Sequence, residues 1–278
     1  MDYALVILVA LCASALTFFS GFGLGTLLMP AFAVFMPVEI AVGATALVHL
    51  ANNLFKLSLV YKNADAKVFK QFTIPAVISA LVGAVLLGIL SDQGAKAGVL
   101  HSYSINNHTF SITIIKLVLG LVMVAFALLE LSPAFNKLSF DRKYLPLGGV
   151  LSGFFGGLSG HQGALRSAFL IRCNLNKETF VATGVTTSVC VDCTRLLVYA
   201  LFAFGIIQAG SHVTDFGTHL RAASDKSIWP LVLAGAVAAL VGSLIGQRLV
   251  KKVTLRSVQL IVGVALLLFG IAMMCGLV

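Results

Sequence analysis

Charge is what this sequence has least of. Only 10% of its 278 residues are Asp, Glu, Lys or Arg, against about 25% in an ordinary soluble domain. A folded chain of this length leaves roughly a quarter of its unfolded surface in water, and so little polar material cannot cover it. A soluble enzyme, a nucleic-acid-binding module and a disordered chain are thereby excluded. Acidic residues are the scarcer sign, 10 against 19 basic, for a net charge of +9. Helical membrane proteins keep such an excess of Lys and Arg in cytoplasmic loops, so it implies no nucleic acid partner. Cysteines are few and odd in number: Cys12, Cys173, Cys190, Cys193 and Cys275, all in or beside apolar stretches. They imply no disulfide framework. The first residues carry Asp2 and no Lys or Arg, which lacks the basic start of a cleaved signal peptide. The first apolar segment is expected to be retained.

What the sequence does hold is apolar length. Residues of the AVILMFWYC set make up 59% of it, and its mean hydropathy is +1.02. Runs free of Asp, Glu, Lys and Arg cover 3–38, 40–55, 71–91, 117–129, 144–165, 196–214, 227–247 and 257–278. A helix of about 20 apolar residues crosses the hydrocarbon core, so several runs fit one crossing each. The first run is too long for one crossing and holds Ser20-Gly21-Phe22-Gly23-Leu24-Gly25 in its middle. Alternate glycines disfavour continuous helix. The spacing predicts two half-length helices, 4–19 and 26–36, meeting at a glycine break. The stretch 145–172 repeats the design around Gly156-Gly157-Leu158-Ser159-Gly160-His161-Gln162-Gly163.

Most basic residues fall in four clusters: Lys56, Lys62, Lys67 and Lys70; Lys137, Arg142 and Lys143; Arg166, Arg172 and Lys177; and Arg248, Lys251, Lys252 and Arg256. If each broken stretch is a re-entrant hairpin, all four clusters are cytoplasmic, while loops 92–111 and 209–226 and both termini are external. If each were a full crossing, the clusters would lie on both sides.

The chain also repeats itself. Val42-Gly43-Ala44-Thr45 through Asn53-Leu54-Phe55-Lys56 aligns with Val181-Ala182-Thr183-Gly184 through Asp192-Cys193-Thr194-Arg195. Leu117-Val118-Leu119-Gly120 matches Leu260-Ile261-Val262-Gly263, and Ala-Leu-Val-Gly recurs at Ala80, Leu81, Val82, Gly83 and at Ala239, Leu240, Val241, Gly242. The expected fold is an all-α polytopic membrane protein of two repeats, 1–140 and 141–278, in one integral membrane domain. Each repeat is a re-entrant hairpin plus three transmembrane helices. Three crossings is an odd number, so the second repeat is inverted relative to the first. Such repeats are a common plan of secondary transporters, with the site near the midplane.

Gly21-Phe22-Gly23-Leu24-Gly25-Thr26-Leu27-Leu28-Met29-Pro30, followed by Pro37-Val38-Glu39-Ile40-Ala41-Val42-Gly43-Ala44-Thr45, resembles the Gly-rich first motif of the sulfite exporter (TauE/SafE, or TSUP) family. The second-half counterpart is Gly153-Phe154-Phe155-Gly156-Gly157-Leu158-Ser159-Gly160-His161-Gln162-Gly163-Ala164-Leu165-Arg166. It is similar to a branch with His-Gln-Gly and Arg where other members read Gly-Gly-Gly and apolar residues. The resemblance implies a transporter rather than an enzyme, with no cofactor, set in a bacterial inner membrane. It implies export or exchange of a small anion such as sulfite or an organosulfonate.

The residues themselves name candidates for such a site. A helix N-terminus exposes unpaired N–H groups and partial positive charge, which suits an oxyanion. Gly23, Gly25, Thr26, Ser159, Gly160 and Gly163 line the two breaks, with His161 and Gln162 in the second. Arg166 stands about one turn past it, where a guanidinium could hold an oxyanion or snorkel to the cytoplasmic end. Asp192 and Arg195 lie three apart in a span, and Asn53 and Lys56 are their repeat mates. Asp192 and His49 are candidate proton or charge partners; an Asp192–Arg195 pair that only joins helices is the plainer reading. Lys56 reads as the cytoplasmic end of its span. Asn52, Thr45, Thr183 and Thr186 are candidate neutral lining. Cys190 and Cys193, as Cys-x-x-Cys, share the Asp192 face by spacing. They leave open a metal ion transporter using Cys190, Cys193, His161 and Asp192, or a membrane thiol-redox protein. Small packing residues are the simpler account of them.

Overall fold

The computed structural model describes residues 2–17, 23–96, 99–105, 108–132, 140–207, 228–249 and 255–278. Its helices are α1 (Asp2–Thr17), α2 (Leu24–Ala33), α3 (Val38–Val60), α4 (Ala66–Lys96), α5 (Ile114–Leu131), α6 (Leu145–Ser159), α7 (Gly163–Leu170), α8 (Lys177–Ala203), α9 (Trp229–Leu249) and α10 (Leu255–Met274). Of these, five are long and apolar enough to cross a membrane: the helices starting at Val38, Ala66, Ile114, Lys177 and Trp229. The outer faces are apolar too. Ile74, Ile78 and Val82, four apart on α4, are 57–60% exposed. In water such a stripe would drive association; in lipid it is solvated. The protein is an all-α, multi-pass membrane protein.

Both expected breaks occur. Each contains a glycine in the left-handed region: Gly23 at φ 110, directly before α2, and Gly160 at φ 82, directly after α6. A side chain at Gly23 would run into Thr17, and one at Gly160 would meet the Arg195 guanidinium. Only glycine turns the chain there. The second break is narrower than the sequence suggests. Gly156 and Gly157 remain helical, and only Gly160-His161-Gln162 interrupts α6 and α7. After it the chain folds back, since Phe169 near the end of α7 packs on Gly148 near the start of α6, and the Ser152 hydroxyl donates to the Gln162 carbonyl at 2.8 Å. Gly21 and loop 209–226 lie outside the described residues, as do Lys137, Lys251 and Lys252.

Gly149, Gly153 and Gly157 follow a four-residue spacing along α6. Each presses its backbone on α4, at Phe72, Ala76 and Ala80 respectively. Small residues at this spacing let membrane helices approach closely, where van der Waals packing supplies the association energy. Gly153→Val is therefore expected to unseat α6 from α4 and lose most folded protein. The yield of monodisperse protein in mild detergent checks this; wild-type yield would contradict it.

The packing comes in matched pairs. α4 docks on α6, and α1 docks on α9. Gly83 of the first Ala-Leu-Val-Gly meets the Phe154 carbonyl, and Gly242 of the second meets the Leu11 carbonyl. α3 packs against α8, and α5 against α10.

Among the described residues, one element is not helical. Val99–Ile105 (β1) and His108–Thr113 (β2) pair as an antiparallel hairpin. This segment has too little apolar length to enter lipid, and its polar and apolar residues alternate at the period of a strand. The Tyr103 hydroxyl donates to the Cys275 carbonyl at 2.6 Å, tying the hairpin to the end of α10.

Candidate functional site

The α3–α8 interface is polar at its centre. Helical periodicity places Thr45, His49, Asn53 and Lys56 along one face of α3, and Ser188, Asp192 and Arg195 along one face of α8. Every one of these side chains is buried. Their meeting point is Asp192, fully enclosed at 0% exposure. Its Oδ1 accepts from Arg195 Nη2 at 2.7 Å and Nε at 3.1 Å, and from Gln162 Nε2 at 3.2 Å. Its Oδ2 accepts from His49 Nδ1 at 2.6 Å and Asn53 Nδ2 at 3.3 Å. The carboxylate thus joins both halves of the chain and the second break. A buried ion is stable only when its lone pairs are satisfied this fully.

The two breaks meet here. A Cβ on Gly25, in the first turn of α2, would stand 3.6 Å from the Gly160 carbonyl and 3.6 Å from the His49 ring. Thr26 donates back to the Gly23 carbonyl at 2.8 Å, closing the first turn of α2. On the other side, Arg195 reaches the Gly156 carbonyl at 3.5 Å. Arg166, 3% exposed, donates through Nη1 to Gln162 Oε1 at 3.4 Å and to the Ser188 hydroxyl.

His161 occupies the turn between α6 and α7. Its Nδ1 pairs with the Ser159 hydroxyl at 3.0 Å, and its ring lies 5.3 Å from Phe126 of α5. Its Nε2 is buried with no hydrogen-bond partner among the described residues, as is the Thr45 hydroxyl. A buried polar atom left unpaired costs about 1–3 kcal/mol. Each is a place where a bound molecule would recover that cost.

The sequence-predicted residues therefore come together almost completely: Gly23, Gly25, Thr26, His49, Asn53, Ser159, Gly160, His161, Gln162, Gly163, Arg166, Asp192 and Arg195 all lie in or against this cluster. Two expectations need correction. Lys56 is not a charge exposed at the end of its span. It is 5% exposed, one turn before the end of α3. Its Nζ lies 3.2 Å from the Asn52 amide oxygen, when the Asn52 nitrogen faces Ser14 and Ser243. Cys193 does not share the Asp192 face. It is exposed while Asp192 is enclosed, since adjacent residues on a helix point about 100° apart. Among the described residues, no group of three His, Cys, Asp or Glu side chains is placed to hold a metal ion.

Sequence reasoning missed Ser14, Ser243, Ser188 and Phe126. Ser14 and Ser243 sit in apolar runs where small residues read as packing, Ser188 follows two threonines, and Phe126 is one aromatic among many.

Among the described residues, the cluster holds three buried basic side chains, Lys56, Arg166 and Arg195, and the carboxylate of Asp192. No curated protein and no solved structure matches this chain. A family model does: the one described as sulfite exporter TauE/SafE matches residues 6–273, nearly the whole length. With its multi-pass helical fold, the chain belongs to the TauE/SafE family of membrane transporters.

Proposed function

We propose that the protein exports a small oxyanion, sulfite or an organosulfonate, by alternating access at the Asp192 cluster. The observation that carries this reading is that the two breaks meet among three buried basic side chains, Lys56, Arg166 and Arg195. A buried basic group favours a negative charge beside it. An anion bound between the breaks would supply that charge. The unpaired His161 Nε2 and the first turns of α2 and α7 offer donors to such a guest. Asp192 itself is taken up by five donors from four residues and is a poor ligand for a metal ion.

Alternating access is supported by the matched packing. Val6, Leu11 and Ser14 of α1 meet Gly235, Gly242 and Ser243 of α9, so these helices run parallel. Phe72, Ala76 and Ala80 of α4 meet Gly149, Gly153 and Gly157 of α6 in the same parallel sense. Each broken hairpin rests on the other half. Two inverted repeats, 1–140 and 141–278, account for this arrangement, and exchanging their conformations would move the site from one face to the other. Asp65 N–H donates to Thr183 at 3.0 Å, and Arg256 reaches the Leu131 carbonyl at 3.2 Å. These contacts bring Lys62, Lys67, Lys70, Lys177 and Arg256 to one end of the molecule. By the positive-inside rule that end is cytoplasmic, and both termini are external in a bacterial inner membrane.

Export needs no coupling ion. One negative charge leaving an inside-negative cell releases about 2.3 kcal/mol per 100 mV, about 40-fold in ratio. Sulfite efflux from proteoliposomes is the test. His161→Ala removes one donor to a charged guest, a loss of about 1.5–3 kcal/mol, so flux at low sulfite is expected to fall about ten- to hundred-fold with unchanged thermal unfolding. Wild-type flux in that variant would remove His161 from the site.

A further inference from the structure

We infer that anion movement is coupled to a proton carried by His49, in the same direction as the anion; the inference rests on the transport reading above. The geometry is specific. His49 Nδ1 stands 2.6 Å from Asp192 Oδ2 across the α3–α8 interface. An ionised carboxylate only accepts, so Nδ1 carries the hydrogen and Nε2 is left with the lone pair. The carbon beside Nε2 is the one facing the first turn of α2, where a Cβ on Gly25 would be 3.6 Å away. His49 is thus anchored through Nδ1, while Asn53 Nδ2 stands 3.4 Å from Nε2 on the edge of the ring nearest the meeting point of the breaks. A proton gained at Nε2 makes an imidazolium whose charge is shared with Asp192 and adds to the field that holds an anion.

The surroundings decide the sign. On α8 the groups facing His49 are Asp192 and Arg195. From the second break and α7 come His161 and Arg166, and α3 itself supplies Lys56. α2 has no ionisable side chain, and α9 has none apart from Arg248, eight residues beyond Leu240 and near its far end. A bound anion brings negative charge beside these groups, so by Coulomb attraction it favours a proton in the site. Binding free energies are reciprocal: if the anion favours the proton, the proton favours the anion by the same factor. The pair lies between the two halves, so their relative movement carries both ligands from one bath to the other. Sulfite as a dianion leaving with one proton still takes net negative charge outward, so the membrane potential still drives export.

Proteoliposomes carrying a pH-sensitive dye in the lumen test this, with the membrane potential clamped. The probes are methanesulfonate and thiosulfate, which stay ionised and cannot carry the proton themselves. The expected result is proton movement in the same direction as the anion, about one proton for each anion. His49→Gln keeps a hydrogen-bonding side chain but cannot take the proton, and any remaining anion flux is expected to lose its proton component. Flux of either probe without proton movement in the wild-type protein overturns the coupling and leaves anion transport standing. Flux of sulfite with neither probe moving overturns it also, because the proton then travels on the substrate. No flux of any of the three overturns the transport reading itself.

Discussion

Arg166→Ala is expected to reduce sulfite flux by about 100-fold or more while leaving the protein folded. A guanidinium–oxyanion contact is charge-assisted and worth roughly twice a neutral hydrogen bond. Arg166 is enclosed beside Gln162 and Ser188, one turn into α7, where water cannot replace it. Its side-chain partners Gln162 and Ser188 are neutral, so the empty protein is expected to lose less than the anion, which loses a charged partner. Arg166→Lys restores the charge without the planar fork and should recover only part of the flux. Initial rates in proteoliposomes, with thermal unfolding on the same samples, separate the two effects. Wild-type rates in Arg166→Ala would show that the anion passes elsewhere.

Asp192→Asn is expected to have the opposite profile: the largest loss of stability of any single substitution in the cluster. The carboxylate receives His49, Asn53, Gln162 and Arg195 at once. Without its charge, Arg195 is left enclosed beside no carboxylate, and breaking a buried ion pair costs about 3–5 kcal/mol. The melting temperature of detergent-solubilised protein should fall clearly. Adding Arg195→Met to Asp192→Asn removes the stranded charge and should recover part of the loss, although not transport. A single variant that melts with the wild type would mean that Asp192 does not hold α3, α8 and the second break together.

Much of this arrangement was legible in the chain. Long uncharged runs can only be stable as helices in lipid, because backbone groups there must pair within the segment. Clustered glycines marked the breaks, at alternate positions in the first, and the matched segments ending at Lys56 and Arg195 placed polar residues of both halves at equivalent helical positions. Composition and spacing thus decided the class of fold, the existence of two breaks, and most of the residues that meet around Asp192.

Other features depended on how the helices pack. Lys56 looked like an end charge because helix length past a polar residue is set by packing and not by the residue. Gly156 and Gly157 looked like part of the break, yet they stay helical, Gly157 on α4 at Ala80. The hydrophobic and small-residue patterns say which face of a helix is inward, while pairing between distant segments follows from backbone contact at points such as Gly83 on Phe154 and Gly242 on Leu11. The His49–Asp192 contact joins residues 143 positions apart. No local periodicity encodes a contact of that range; it exists because α3 and α8 approach closely enough for one carboxylate to serve both.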